Sequence, residues 1–380
     1  MPGPIRSRAE KFLTSVDWAA LQEFAASKQN GIACRLLPDI GLGYNHMVRI
    51  IEFADGSRWV ARLKLPPLAK HNASDHALDT REICEFNTMS ILRQRTSIPI
   101  PKINAFEPRS DCIVGAPFML MDCLEGNVGI DLGMTIPPKN KQEFLRGLAK
   151  IHVQLSMVQL PKIGTIASMD PDGTCQQGPI PGLGGPFNTA TEYFRAWAAQ
   201  AKFSMSNDQL RAASGEHADE IVPSVSSFPE SVGRLASRLS VRDHGPFPLC
   251  HGDFGHNNTV VDDDYQILGV IDWESAFAGP WEIFGDFPLS FSTVPPPMDV
   301  PWNYNKDGSP KDAELAQKFA DQREYVAAVK REENRLGHVH HLSEALEDSR
   351  RQQLATTMRL FQNRKVGWYS RVIDNLGTDN

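Results

Sequence analysis

Six residues able to do acid, amide or imidazole chemistry fall within two dozen positions of the 380-residue chain: His251, Asp253, Asn257, Asn258, Asp272 and Glu274. They lie in "PLCHGDFGHNNTVVDDDYQILGVIDWE", where short apolar runs lead into or out of each polar group. Asp253 stands five residues before Asn258, and Asp272 follows fourteen residues beyond that amide. Transfer of a phosphoryl group to an alcohol needs such a set. A carboxylate must take up the hydroxyl hydrogen bond, oxygen ligands must hold a metal on the nucleotide, and rigid backbone must carry both. Magnesium prefers hard oxygens, which an Asn carbonyl and an Asp carboxylate supply. The interval from Asp253 to Asn258 is that of the H-R-D-x-x-x-x-N loop of kinases.

For these groups to meet, the chain between Asn258 and Asp272 must double back. The segments "TVV", "DDDYQ" and "ILGVI" predict such a hairpin, with the amide and the second carboxylate at its open end. Upstream, helical spacing (Phe12, Val16, Ala19, Leu21) predicts a helix over 8–28. The runs "IACRLLPDI", "MVRIIEF" and "WVARLKL" then read as a small antiparallel sheet over roughly 32–66. "GLGYN" forms one tight turn of it, and Asp55-Gly56 forms a hairpin turn that needs positive φ. A Rossmann or P-loop site needs its glycine turn to enter a helix, and no G-K-[ST] follows here. A glycine turn between antiparallel strands fits instead a cover of backbone N–H groups over nucleotide phosphates. Gly41, Gly43 and Asn45 are its candidate residues. Arg62 and Lys64 share one strand face, and either can offer a cation to phosphates. The helix predicted over 78–95 supplies Glu82 and Glu85, one turn apart, as the partner carboxylate. The pair Arg62–Glu85 is preferred, with Lys64 and Glu82 left open.

Beyond "APFMLMDCLEG", a buried strand closed by a glycine turn, the texture becomes helical. Helices are predicted over 141–157, 189–204, 229–240, 311–335, 343–364 and 366–375, with a Gly/Pro-rich loop or short hairpin over 161–187.

The segments "LCHGDFGHNNTVV" and "GVIDWE" resemble the signature of the aminoglycoside phosphotransferase and choline kinase superfamily, nearest to its fungal branch. The likeness runs over most of the chain, through "GLGYN", "DGSRWVARLKLP", "TSIPIPKI", "GAPFMLMDCLEG", "LAKIHVQL" and "FAGPWEIFGDFPLSF". It implies a protein-kinase-like, two-lobed α+β fold. The N-lobe, 1–122, would be a small antiparallel sheet with a helix, and the C-lobe, 123–380, larger and mostly helical. It further implies a kinase that uses Mg2+ and ATP, or GTP, to phosphorylate a hydroxyl of a small molecule. On the matching positions Asp253 becomes the catalytic base or orienter, His251 the brace of its loop, and Asn258 and Asp272 the magnesium ligands. Arg62 would hold the phosphates with Glu85 as its partner, and Met121 to Leu124, Cys123 among them, would read the adenine edge. Read from the residues themselves, Trp281, Phe284 and Asp286 are expected to anchor their loop rather than touch substrate, with support of Asp272 by Asp286 as the alternative, and His152 is expected to be a core histidine. The chain departs from the protein-kinase pattern in Arg62 for Lys, in Asn45 near a third glycine position, and in Trp273-Glu274 for Phe-Gly. No A-P-E segment is present, so a small-molecule acceptor is expected over a protein.

Bulk properties fit that reading. Hydrophobic residues make up 41% and charged residues 22%, as in ordinary globular proteins. A net charge of −7 argues against nucleic-acid or anionic-membrane partners. The six cysteines show no C-x-x-C pair or zinc spacing, and the N-terminus lacks the apolar core of a signal peptide, so a cytoplasmic location is expected. Two other functions compete: a nucleotide-binding regulatory protein without turnover, and a metal-dependent phosphoesterase. The second would want a further His/Asp cluster, which the sequence does not offer.

Overall fold

The computed structural model describes residues 3–67, 75–170, 173–338 and 341–377. Alternating side chains make the first sheet. Strands β1 (Cys34–Leu42), β2 (His46–Phe53), β3 (Arg58–Lys64), β4 (Ile103–Glu107) and β5 (Phe118–Asp122) pair antiparallel in the order β1-β2-β3-β5-β4. On β3, Trp59, Ala61 and Leu63 point one way and join a core with Phe12, Leu21 and Ala25. Those three come from helices α1 (Gly3–Ser15) and α2 (Trp18–Lys28). The period of two leaves Arg62 and Lys64 on the opposite face, toward helix α3 (Asp75–Arg95). The β2–β3 ladder is symmetric about Asp55, with Gly56 at φ +85° in the turn, as the Asp-Gly pair predicts.

The larger part alternates helices with short strands: α4 (Pro138–Met157), β6 (Gln159–Leu160), β7 (Thr165–Met169), β8 (Cys175–Gly178), α5 (Ala190–Gln200), α6 (Asn207–Ser214) and α7 (Ala218–Leu239). The chain continues through β9 (Phe247–Cys250), β10 (Thr259–Val261), β11 (Ile267–Val270), β12 (Phe277–Ala278) and α8 (Trp281–Phe284). It closes with α9 (Ala313–Leu336), α10 (His341–Glu347), α11 (Ser349–Gln362) and α12 (Tyr369–Gly377). Phe144 of α4, Phe228 of α7, Tyr325 of α9 and Phe361 of α11 are fully buried in one core with β9. At roughly 2 kcal/mol per buried large apolar side chain, this core sets the platform on which the loops after β9 and β11 rest. Two backbone ties fasten the β10–β11 hairpin to the segments that flank β4 and β5: Val270 N–H to Pro99 O, just before β4, at 2.9 Å, and the bridge between Asn127, just after β5, and Val261. No described helix is long and apolar enough to cross a membrane.

Four expectations need correction. The helix predicted over 8–28 is two, because the Asp17 carboxylate caps α2 by accepting from Ala20 N–H at 2.9 Å. The helix predicted over 343–364 is likewise divided, where the Asp348 carboxylate caps α11. The predicted turn "GLGYN" is shorter, since β1 runs on through Gly41 and Leu42 and the turn closes with Gly43 N–H to His46 O at 2.9 Å. The helix expected over 229–240 begins at Ala218 and carries Pro223 and Pro229 inside it.

Candidate active site

The strand β9 ends on Cys250, and the next three residues build the first wall of the site. Gly252 sits at φ +85°, and a Cβ there would lie 2.3 Å from the Ser275 carbonyl oxygen, so only glycine allows this loop to lie against the turn after Asp272. His251 is buried, with Nε2 3.0 Å from the Ile271 carbonyl and Nδ1 accepting the Asp253 N–H at 3.3 Å. Its ring lies 4.3 Å from that of Trp273. Burial lowers its pKa to about 4, so the ring is neutral and Nε2–H is the donor to Ile271. One imidazole thus ties the Asp253 loop to the strand end that carries Asp272.

Asp253 itself is exposed. Its Oδ2 accepts from the Asn257 amide at 2.9 Å and from the Asn258 amide at 2.9 Å. Asn258 Nδ2 also donates to the Asp253 carbonyl at 2.8 Å. Every contact of the Asn258 side chain among the described residues uses its nitrogen, which leaves Oδ1 free to ligate. The predicted hairpin is present: Thr259 pairs with Val270, and Ile271 N–H reaches Asn258 O at 3.0 Å. Asn258 and Asp272 therefore occupy its open end together. Asp272 adopts a left-handed conformation (φ 65°, ψ 59°), which Asp tolerates better than most residues and which turns the chain sharply after β11.

The opposite wall is the free face of β3. Arg62 bridges two acids, donating Nη1–H to Glu85 and Nη2–H to Asp272 at 2.5 Å. Glu85 Oε1 also accepts the Trp273 N–H at 3.1 Å. Lys64 makes a second, parallel pair, with Glu82 at 2.8 Å and Glu274 at 3.2 Å. The choice left open by the sequence is thereby answered as both: Arg62 takes Glu85, and Lys64 takes Glu82. His46 Nε2 lies 3.3 Å from Glu82, and Asn45 Nδ2 donates to Glu274 Oε1 at 2.6 Å. Two cations, Arg62 and Lys64, thus face four carboxylates, Glu82, Glu85, Asp272 and Glu274.

Titration follows from that imbalance. Burial pushes Glu85 up to about 7; Arg62 opposes this, while Glu82 and Asp272 add to it. Burial also raises Asp272, again against Arg62. Burial works against the charge of Glu82 too, yet its contacts with His46, Lys64 and Arg62 hold it down to about 2. His46 falls to about 4 through burial and the nearby guanidinium, so it is a neutral spacer between the acids. Arg62 is buried at a cost, but Glu85 and Asp272 hold it above its ordinary value.

Met121 is buried in β5, paired with Val60. Cys123 follows that strand, and its N–H is already bonded to Arg58 O at 3.1 Å. Gly41 pairs with Val48, and Gly43 opens the turn beside Asn45. Asp286 does not reach Asp272; it accepts from Arg359 at 2.8 Å and Thr356 at 2.5 Å, which ties it to α11. His152 is a core histidine as expected, 2.9 Å from Tyr325 Oη and 3.1 Å from Phe284 O. Sequence reasoning missed His46 and the grip of Glu274 on Asn45. The first was within reach, because a hairpin centred on Asp55 places His46 opposite Lys64.

With this geometry in hand, comparison places the chain. The model of the phosphotransferase enzyme family matches residues 40–283, more than half of the sequence, and the chain belongs to that family. None of the curated proteins matches this sequence. Among solved structures, a Ralstonia eutropha protein provisionally assigned as an aminoglycoside phosphotransferase has a TM-score of 0.54 at 15% identity, over 95% of this chain and 98% of that one. A thermostable mutant of an aminoglycoside phosphotransferase, in ternary complex with ADP and hygromycin B, has a TM-score of 0.50 at 16% identity, over 95% and 100%. A Thermobifida fusca protein provisionally assigned as a fructosamine-3-kinase has a TM-score of 0.47 at 14% identity, over 94% and 98%. The fold is the two-lobed kinase-like one, and the family is one of phosphotransferases.

Proposed function

We propose that the chain transfers the γ-phosphoryl group of ATP, or GTP, to a hydroxyl of a small metabolite in a Mg2+-dependent reaction. The convergence of Asp253, Asn258 and Asp272 beneath the Arg62–Lys64 face carries this reading, and the nucleotide complex of the hygromycin relative supports it. Asn257 and Asn258 hold Oδ2 of Asp253, so Oδ1 is the edge left for the acceptor hydroxyl. As the new O–P bond forms and the bond from Pγ to the bridging oxygen breaks, the hydroxyl proton passes to Asp253 and the nucleoside diphosphate departs. Arg62 and Lys64 supply fixed positive charge to the phosphates, each held by its own carboxylate. His251 keeps the Asp253 loop and the Asp272 strand end in one register.

The donor set fits magnesium: a free Asn carbonyl, a carboxylate beside it, and an excess of two negative charges across the cleft that a triphosphate alone would worsen. When bound, the metal would neutralise phosphate charge, with Asn258 and Asp272 as its protein ligands and Asp272 released from Arg62. Gly41, Gly43 and Asn45 would cover the phosphates, and the strand end at Met121 and Cys123 would receive the nucleotide base. The test is a screen of hydroxylated metabolites with ATP or GTP, read as a mass gain of one phosphoryl group, for wild type, Asp253→Asn and Asp272→Ala. Transfer lost in both variants is the expected result. Nucleotide binding with no transfer across the screen would favour the regulatory alternative, and phosphate release without nucleotide the phosphoesterase.

A further inference from the structure

A cavity of about 650 Å3 opens beside Asp253, a size suited to a small molecule. Its charged lining consists of three acids, Asp253, Glu274 and Asp286, and three cations, Arg81, Lys202 and Arg359. Two of the acids already have partners. Asp286 is neutralised by Arg359 at 2.8 Å and also accepts from Thr356 at 2.5 Å. Glu274 shares Lys64, at 3.2 Å, with Glu82 and accepts from Asn45. Asp253 is the acid assigned above to the hydroxyl. The cations divide differently: Arg359 is paired, whereas Arg81 on α3 and Lys202 just beyond α5 have no ion pair or hydrogen bond among the described residues. The two histidines of the lining, His152 and His251, are neutral, since burial lowers each to about 4. Between these charges the half-buried side chains Leu183, Phe254, Phe277 and Ile283 present apolar surface.

We infer that the acceptor is a hydroxylated molecule with an apolar or aromatic body and an anionic group, the anion held by Arg81 and Lys202 while the hydroxyl faces Asp253. This rests on the phosphotransferase reading above and deepens it. A polycationic acceptor would meet two uncompensated cations and no free acid other than Asp253, an arrangement that disfavours it by like-charge repulsion. An anion meets the reverse. The unspent charge of the cavity therefore selects the class of acceptor, while the apolar side chains select its body.

The experiment uses matched hydroxymethyl-aryl probes in three forms, carboxylate, primary amide and amine, titrated by calorimetry into the full chain without nucleotide. Expected is binding of the carboxylates at least about tenfold tighter than the amines, with the amides between. In the double variant Arg81→Gln/Lys202→Gln the carboxylates should fall to the level of the amides, and in Arg81→Lys/Lys202→Arg they should keep their advantage. No preference across the set, a preference for amines, or a carboxylate preference that persists in the Gln variant overturns the inference. Because the readout is binding without turnover, it stands apart from the phosphoryl-transfer test. A chain that prefers carboxylates yet phosphorylates nothing would refute the proposed reaction alone, and one that phosphorylates amines would refute the acceptor class alone.

Discussion

On the helical side of the cleft, His251, Asp253, Asn257 and Asn258 are held by short hydrogen bonds among near neighbours in the chain, and His251 is neutral. On the sheet side, Arg62 and Lys64 are held by ion pairs to α3 and to acids 210 positions away, in a cluster with more negative than positive charge. Hydrogen bonds closed within one short loop respond weakly to an arriving charge, whereas a buried set of unbalanced ion pairs responds strongly. The difference teaches a division of labour. In the proposed reaction the wall that carries Asp253 would be set in advance, and the wall that carries Arg62 and Lys64 would be finished by the nucleotide.

The largest test of that division is Asp253→Asn. It keeps the shape of the loop and removes the base, so turnover should fall by about 10²–10⁴-fold while nucleotide affinity, measured by calorimetry, stays as in wild type. A parallel loss of nucleotide binding would mean that the two walls are not separate. Next in size is Arg62→Ala, which leaves Glu85, 2% exposed, as a buried carboxylate without its cation. Breaking a buried pair from one side costs about 3–5 kcal/mol, visible as a lower urea midpoint. Glu85→Gln in the same chain should recover part of it. Lys64→Ala should cost less, because Glu82 keeps His46 and Glu274 keeps Asn45. Equal losses at 62 and 64 would show that the two pairs act as one unit.

The same contrast governs how much could be read from the residues alone. The helical wall was legible because its chemistry is local: the interval from Asp253 to Asn258 and the hairpin to Asp272 appear in the sequence as spacing and alternation. The sheet wall was legible only to a choice of partners, since a strand face and a helix face each offer two charges and nothing local says which pair up. The structure shows that no choice was needed. Asp286 anchors its loop as expected, but its alternative role beside Asp272 does not appear; proximity to Asp272 in sequence says nothing about Arg359 arriving from α11. The helix over 8–28 and the one over 343–364 were drawn too long because apolar periodicity continues across Asp17 and Asp348, while the side-chain caps that divide them are individual hydrogen bonds of about 1 kcal/mol.

A third test concerns pH and a neutral histidine of the helical side. His152 titrates near 4 in the folded chain because of burial, against about 6.5 when unfolded. Above 6.5 neither state binds the proton. As pH falls from 6.5 toward 4 the unfolded chain takes it up and the folded chain does not, so stability declines, by roughly 3 kcal/mol at most for this group. Urea unfolding at pH 7, 6 and 5 should show the decline, and His152→Gln should flatten it by close to one proton. An unchanged slope in that variant would assign the acid sensitivity to other groups.

The smallest effect probes the seam between the two walls. Asn45 belongs to the glycine turn of the sheet, yet its amide is fixed by Glu274, which belongs to the turn after β11. Asn45→Ala removes that one tie and leaves Glu274 to Lys64. A hydrogen bond to a charged acceptor contributes on the order of 1 kcal/mol net, so KM for the nucleotide should rise about fivefold. Amide exchange in residues 41–46 should quicken as the turn loses its anchor, with kcat unchanged, because the hydrogen bonds around Asp253 do not pass through Asn45. A fall in kcat at constant KM would carry the opposite meaning: the glycine turn would then act on the transferring phosphoryl group itself, and the nucleotide wall would be as fixed in its geometry as the wall across from it.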